Sequence, residues 1–195
     1  PFFPPQRSSD LYQTKGLLEI FQTNSGAQHA QHMVDRAHEL GLTDTELLDY
    51  HALQQLEPQT KINAIGAVLF KCDAHLYPNK LMQQLIADLE HKGVRLQGNE
   101  EVTRFENSNG TISKVITRET VYEADAVVIA SGSWSRELAA KMKVKIPLVA
   151  GRGYSVTLED SLYKLNHPAA LVEGRVALTP MDGNKIRFGG TMEIT

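Results

Sequence analysis

Apolar positions recur along this chain in two rhythms, and each rhythm predicts an element. Residues 17–23 (LLEIFQT) and 64–70 (AIGAVLF) are short, dense apolar runs between polar or small residues, the pattern of buried strands. Asn24-Ser25-Gly26 opens a helix in which Ala30, Met33, Val34, Ala37 and Leu40 recur at helical spacing, with Gly41 at its end. Asp49 is placed to cap a short helix carrying Leu53 and Leu56 that stops before Pro58. Residues 78–92 give the clearest helix. Pro78 lies in its first turn, Leu81, Met82, Leu85, Ile86 and Leu89 share one face, and Gly93 follows.

Further on the rhythm shortens. A strand is expected over 94–97, then a hairpin of 101–106 and 111–117 around Asn107-Ser108-Asn109-Gly110, then a short strand over 120–123. Residues 126–129 (AVVI) are apolar without alternation, which suits a strand covered on both faces, as in a parallel sheet. Gly132 ends that run, and Ser133 is placed to cap a helix over 133–142. A strand over 148–158, interrupted by Gly151-Arg152-Gly153, and a hairpin of 176–180 with 185–189 complete the chain. Residues 1–14, rich in Pro, Ser and Gln, read as irregular. Local hairpins mixed with helix-linked strands make the fold class α+β, with one part like an α/β sheet.

The stretch 123–136 (EADAVVIASGSWSR) organises the rest. Strand, small residues and helix N-terminus let backbone approach a phosphate or dinucleotide. An ordinary strand-to-helix turn has the same pattern, and both readings stay open. The sequence has neither G-x-G-x-x-G nor G-x-x-x-x-G-K-[ST].

Composition narrows the function classes. The 195 residues suffice for one large or two small domains, and 42% hydrophobic with 22% charged residues is ordinary for a globular protein. A net charge of -3 and the lack of a Lys/Arg run offer no nucleic-acid footprint. No apolar stretch approaches the ~20 residues of a membrane span. Cys72 stands alone, without a disulfide or metal partner pattern. The opening PFFPP has no Met and no signal-peptide pattern, so a cut from a longer chain is expected. His29 and His32 are spaced for one helix face, but no third ligand is placed near them, and a solvated face outweighs a metal site. G-x-S-x-G is absent, and nothing identifies a general base.

Five short motifs in order then carry a resemblance. Ala130-Ser131-Gly132-Ser133-Trp134-Ser135 resembles the A-[AS]-G-x-W-S signature of FAD-dependent amino-acid oxidases and dehydrogenases. His75-Leu76-Tyr77-Pro78 with its helix and Gly93-Val94 resembles the segment introducing the cofactor domain's middle strands. Glu101-Val102-Thr103 resembles the next cofactor strand and Gly153-Tyr154-Ser155 the long substrate-side strand. Ile186-Arg187-Phe188-Gly189-Gly190-Thr191 resembles the strand running back to the flavin, in a form most like that of bacterial D-amino-acid dehydrogenases.

The resemblance implies a central fragment: substrate-domain parts at 1–76 and 146–195, part of a Rossmann-like FAD-binding domain at 77–145, and cofactor segments lying outside the sequence. It implies that Val102, Ala130, Ser131, Gly132 and Trp134 lie along FAD. Tyr154 would face ring and substrate, and Gly189 and Gly190 would admit the ring. A glycine pair in a strand equally marks a bulge. Arg152 and Arg187 are candidates for gripping a substrate carboxylate, because a guanidinium does so bidentately. The implied reaction is oxidation of a D-amino acid to an imino acid, then a 2-oxo acid and ammonia, with hydride passing to flavin. The alternatives are a sarcosine- or glycine-type oxidase, a 2-hydroxy-acid dehydrogenase, or a non-catalytic module binding a small carboxylate or a partner. The implied partners are an amino acid and an electron acceptor such as a quinone. The implied location is cytoplasmic, extending to peripheral attachment at the inner membrane.

Overall fold

A computed structural model describes residues 12–194. The irregular opening expected for residues 1–14 falls outside them up to residue 11. The described chain divides into two compact units, one of residues up to Ile86 with Gly153–Met192, the other of Ala87–Arg152 with the residues from Glu193.

In the first unit, β1 (Tyr12–Gln13) precedes β2 (Leu17–Phe21), where Leu18 and Ile20 point to one face and Phe21 to the other. The helix α1 (Asn24–Glu39) is capped by Thr23, whose hydroxyl accepts from Gly26 N, one residue before the expected opening. Gly41 (φ +92°) then ends the helical stretch. β3 (Thr45–Asp49) was absent from the apolar pattern, because TELLD alternates weakly at a sheet edge. Asp49 caps α2 (Tyr50–Leu56) by accepting from Ala52 N, as its position requires. β4 (Gly66–Phe70), β5 (His75–Leu76, paired with β1) and α3 (Pro78–His91) follow.

The second unit starts beyond the middle of α3. No strand forms at 94–97, where every residue is exposed. β6 (Val102–Ser108), β7 (Thr111–Thr117) and β8 (Val121–Glu123) form an antiparallel meander. Its first turn places Asn109 and Gly110 at φ +53° and +81°, the geometry that an Asn-Gly hairpin needs. Residues 126–129 are not a strand, and Val128 is 87% exposed. An apolar run of this kind needs sheet neighbours on both edges, and the described residues supply none. The expected helix over 133–142 is a 3-10 turn at Gly132–Trp134 followed by α4 (Ser135–Ala140); Ser133 lies inside the turn and does not cap. β9 (Gly151–Leu158) starts at the glycines expected to interrupt it. β10 (Ala169–Leu171), unforeseen because it is three residues long, precedes β11 (Val176–Pro180) and β12 (Ile186–Ile194).

Seven strands form one mixed sheet in the order β3-β4-β2-β10-β11-β12-β9. β2 pairs antiparallel with β4 and parallel with β10, so the expected α+β mixed sheet is observed. On one face Leu18, Ile20, Ala67, Leu69 and Ala169 enclose Leu53 of α2; on the other Phe21 and Val68 meet Ala30 and Val34 of α1. Leu18 and Leu53 have no exposed surface, and each such side chain contributes about 1.5–3 kcal/mol.

A buried carboxylate fixes the parallel junction. Glu57, 1% exposed, accepts from Asn166 N (2.7 Å), His167 N (2.9 Å) and His167 Nδ1 (2.6 Å). Pro168 O then accepts from Leu18 N, so this clamp delivers β10 to β2. Glu173, just past β10, accepts from Gln22 N, Thr23 N and the Thr23 hydroxyl, tying the start of α1 to the same junction.

Candidate active site

Strands β9 and β12 carry the residues expected to bind substrate. Arg187 is exposed on β12, and its Nε donates to Thr157 Oγ1 of β9 at 3.2 Å. Among the described residues no carboxylate lies within 4 Å of its guanidinium, so two amino groups remain to grip a bidentate anion. Arg187 and Thr157 line a cavity of about 240 Å³ together with Asn79, Asp182, Lys185 and Glu159. Two ion pairs stand there, Lys185–Glu159 at 2.5 Å and Lys80–Asp182 at 2.8 Å. The Glu159 carboxylate, hydrogen-bonded to Lys185, holds that ammonium above its ordinary range. Cation and carboxylate on one wall suit a small zwitterion. None of Thr157, Glu159, Asp182 or Lys185 carried a motif, so sequence reasoning missed them.

Tyr154 is on the same strand as Thr157, three residues away. Alternation therefore turns Tyr154 to the other face of the sheet from Arg187. Tyr154 is 51% exposed there. Arg152 is already engaged, 3.7 Å from Glu193. Tyr154 and Arg187 thus do not converge, and Arg152 is committed to an ion pair. The glycine pair also separates. A Cβ on Gly190 would lie 2.7 Å from the Arg175 carbonyl oxygen, so its smallness serves the β11–β12 packing. A Cβ on Gly189 would meet only the Tyr154 carbonyl, at 4.0 Å.

The remaining cofactor candidates belong to the second unit. Val102 opens β6 half-buried opposite Thr117. Ala130, Ser131, Gly132 and Trp134 form an open turn, with Ser131 Oγ 3.0 Å from Ser135 Oγ and Trp134 67% exposed. Gly132 has φ +54°, and nothing stands within 4 Å of where its Cβ would be. Free space over a left-handed glycine beside serine hydroxyls fits one polar edge of a dinucleotide cofactor.

The family profile described as FAD dependent oxidoreductase (DAO) matches residues 6–195. The chain belongs to this family. FAD is accordingly its cofactor. Similar curated proteins include a D-amino acid dehydrogenase of Bradyrhizobium diazoefficiens, 34% identical over 125 residues, which are 63% of this DAO chain and 28% of that protein. Another, of Vibrio atlanticus, is 27% identical over 185 residues, 92% of this chain and 44% of that protein. The chain thus spans less than half the length of these relatives. Among solved structures, glycine oxidase from Bacillus cereus shares the fold with a TM-score of 0.82 at 24% identity, over 97% of this chain and 52% of that one. L-proline dehydrogenase from P. horikoshii aligns with a TM-score of 0.77 at 20% identity, over 92% and 49% of the two chains.

Proposed function

We propose that this chain is the amino-acid-handling part of a flavoprotein that oxidises a D-amino acid to an imino acid, released as a 2-oxo acid and ammonia. The observation that carries the reading is Arg187, fixed by Thr157 and without a carboxylate partner among the described residues, on the wall of a small cavity. Its guanidinium binds the substrate carboxylate, while the neighbouring Glu159 and Asp182 are held by Lys185 and Lys80 and frame the cavity. When bound, FAD would supply the two-electron acceptor that takes the α-carbon hydrogen as a hydride. The chain's own residues supply binding and orientation, which explains the lack of an acid–base pair in the sequence.

In this reading the first unit serves the substrate, and the second offers Val102, Ala130, Ser131, Gly132 and Trp134 to the cofactor. Gly189 remains the candidate for close approach of the ring. Support for the D configuration comes from the names of the curated relatives. The electron acceptor is proposed to be a quinone or another carrier.

The test is anaerobic bleaching of the flavin in the full-length protein by D-alanine, L-alanine, glycine, sarcosine and D-lactate. Reduction by the D-amino acid alone supports the proposal. Reduction by lactate, or by glycine and sarcosine in preference, assigns the hydroxy-acid or glycine-type reaction instead. A colourless protein points to a binding module.

A further inference from the structure

The charge around the Arg187 cavity is almost entirely engaged within the wall itself. Lys185 holds Glu159 at 2.5 Å and Lys80 holds Asp182 at 2.8 Å, while the Thr157 hydroxyl accepts from Arg187 Nε. Besides the two amino groups of Arg187, these pairs leave one amide, Asn79, and two apolar residues, Pro78 and Met181, among the described lining residues. Met181 has a fixed place relative to Arg187. Thr179 of β11 stands directly opposite Arg187 of β12. Met181 N donates to Lys185 O at 2.9 Å, so the pairing runs on past Pro180 and sets Met181 opposite Lys185. Alternation therefore puts Thr179 and Met181 on one face with Arg187 and Lys185. Two residues of extended chain separate Met181 from Thr179, a distance of about 7 Å. An amino acid with a short side chain bridges that span.

Resting on the reading of Arg187 as the carboxylate anchor, we infer that Met181 receives the substrate's side chain and restricts the substrate class to α-amino acids with a short, uncharged, apolar side chain. An acidic side chain at Met181 faces Glu159 and Asp182, and gains a cation only by taking Lys185 or Lys80 from its partner. A basic side chain faces Lys185 and has to displace it from Glu159. An apolar side chain breaks neither pair and meets the Met181 thioether and the Pro78 ring. Methionine is unbranched and has three rotatable side-chain bonds, so it adjusts to side chains of different length within a cavity of about 240 Å³. The half-buried Met181 is thus the adaptable part of a wall whose charged members are fixed by one another.

The test is anaerobic flavin reduction in the full-length enzyme by D-norvaline, D-glutamate and D-ornithine, read as ratios of kcat/KM. The unmodified enzyme is expected to favour D-norvaline over either charged substrate at least about tenfold. Met181→Lys is expected to raise the ratio of D-glutamate to D-norvaline about tenfold, and Met181→Glu to raise that of D-ornithine to D-norvaline by as much. A merely structural role for Met181 does not give opposite shifts with opposite charges. Ratios that neither variant moves overturn the inference. So does a charged substrate that matches D-norvaline in the unmodified enzyme, a comparison that decides the matter even where a variant misfolds. In both of those cases the reading of Arg187 stands. Flavin reduced by none of the three substrates overturns that reading and this inference together.

Discussion

Arg187 donates through Nε to the Thr157 hydroxyl across two neighbouring strands, and so stands on the face of the sheet that Tyr154 leaves. A substrate on one face meets one of these two side chains. In the full-length enzyme, Arg187→Leu is expected to raise KM for the amino acid about tenfold to a hundredfold with flavin retained, the effect of losing one charge-assisted hydrogen bond. Thr157→Val only frees the guanidinium, and a few-fold change is expected. Steady-state kinetics on flavin-normalised enzyme checks both. A Tyr154→Phe effect as large as that of Arg187→Leu contradicts the assignment.

The Glu57–His167 contact is a buried polar junction of the first unit. Glu57→Ala removes the acceptor of two backbone N–H groups and of the His167 ring, and is expected to cost about 3 kcal/mol. A urea titration reads this as a lower midpoint at unchanged slope. A loss below about 1 kcal/mol shows that water replaces the carboxylate.

Acid sensitivity should trace in part to Glu173. The Thr23 hydroxyl, with the backbone N–H groups of Gln22 and Thr23, holds its carboxyl below the ordinary 4.5. The folded value is the lower one, so its stabilisation is complete above 4.5 and lost as pH falls through the folded value. Glu173→Gln should therefore lower Tm at neutral pH, and the gap to wild type should close in acid. A gap independent of pH shows that the contribution is not electrostatic.

His75 has the opposite character. Both ring nitrogens are buried without a hydrogen bond among the described residues. Burial first, then Lys15 and His167, hold its pKa below 6.5. The unfolded chain takes up a proton below 6.5 that the folded ring resists, so this site weakens the fold as pH falls through that value. His75→Phe keeps the edge contact with Tyr77 and removes the proton site. Tm should rise, more at acid than at alkaline pH. A uniform fall in Tm shows that the imidazole has a polar partner in solution.

Two glycines separate packing from conformation. Gly190→Ala drives a Cβ to 2.7 Å from a carbonyl oxygen, so a loss well above 1 kcal/mol and reduced yield of folded chain are expected. Gly132→Ala meets no neighbour and carries only the left-handed cost, about 1 kcal/mol. In the full-length protein Gly132→Val should lower FAD occupancy more than it lowers the Tm of the cofactor-free form. Equal losses make Gly132 a plain turn residue.

Much of this protein is local, and its sequence suffices for that part. Thr23 and Asp49 as caps, Pro78 and Gly93 bracketing α3, and Asn109-Gly110 folding the β6–β7 hairpin depend on neighbours within a few residues. The family motifs are equally local, which is why the FAD assignment was legible from short runs such as Ala130-Ser131-Gly132. What pairs with what was decided in space. The run 126–129 has strand composition but no partner edge among the described residues, and composition supplies no hydrogen bonds. β3 and β10, with weaker apolar patterns, become strands because β4 and β2 offer edges to pair with. The separation of Tyr154 from Arg187 depends on cross-strand register, and the Glu57 clamp joins residues 110 positions apart. No periodicity encodes such distances; they arise because buried polar groups must find partners once the sheet has closed around them.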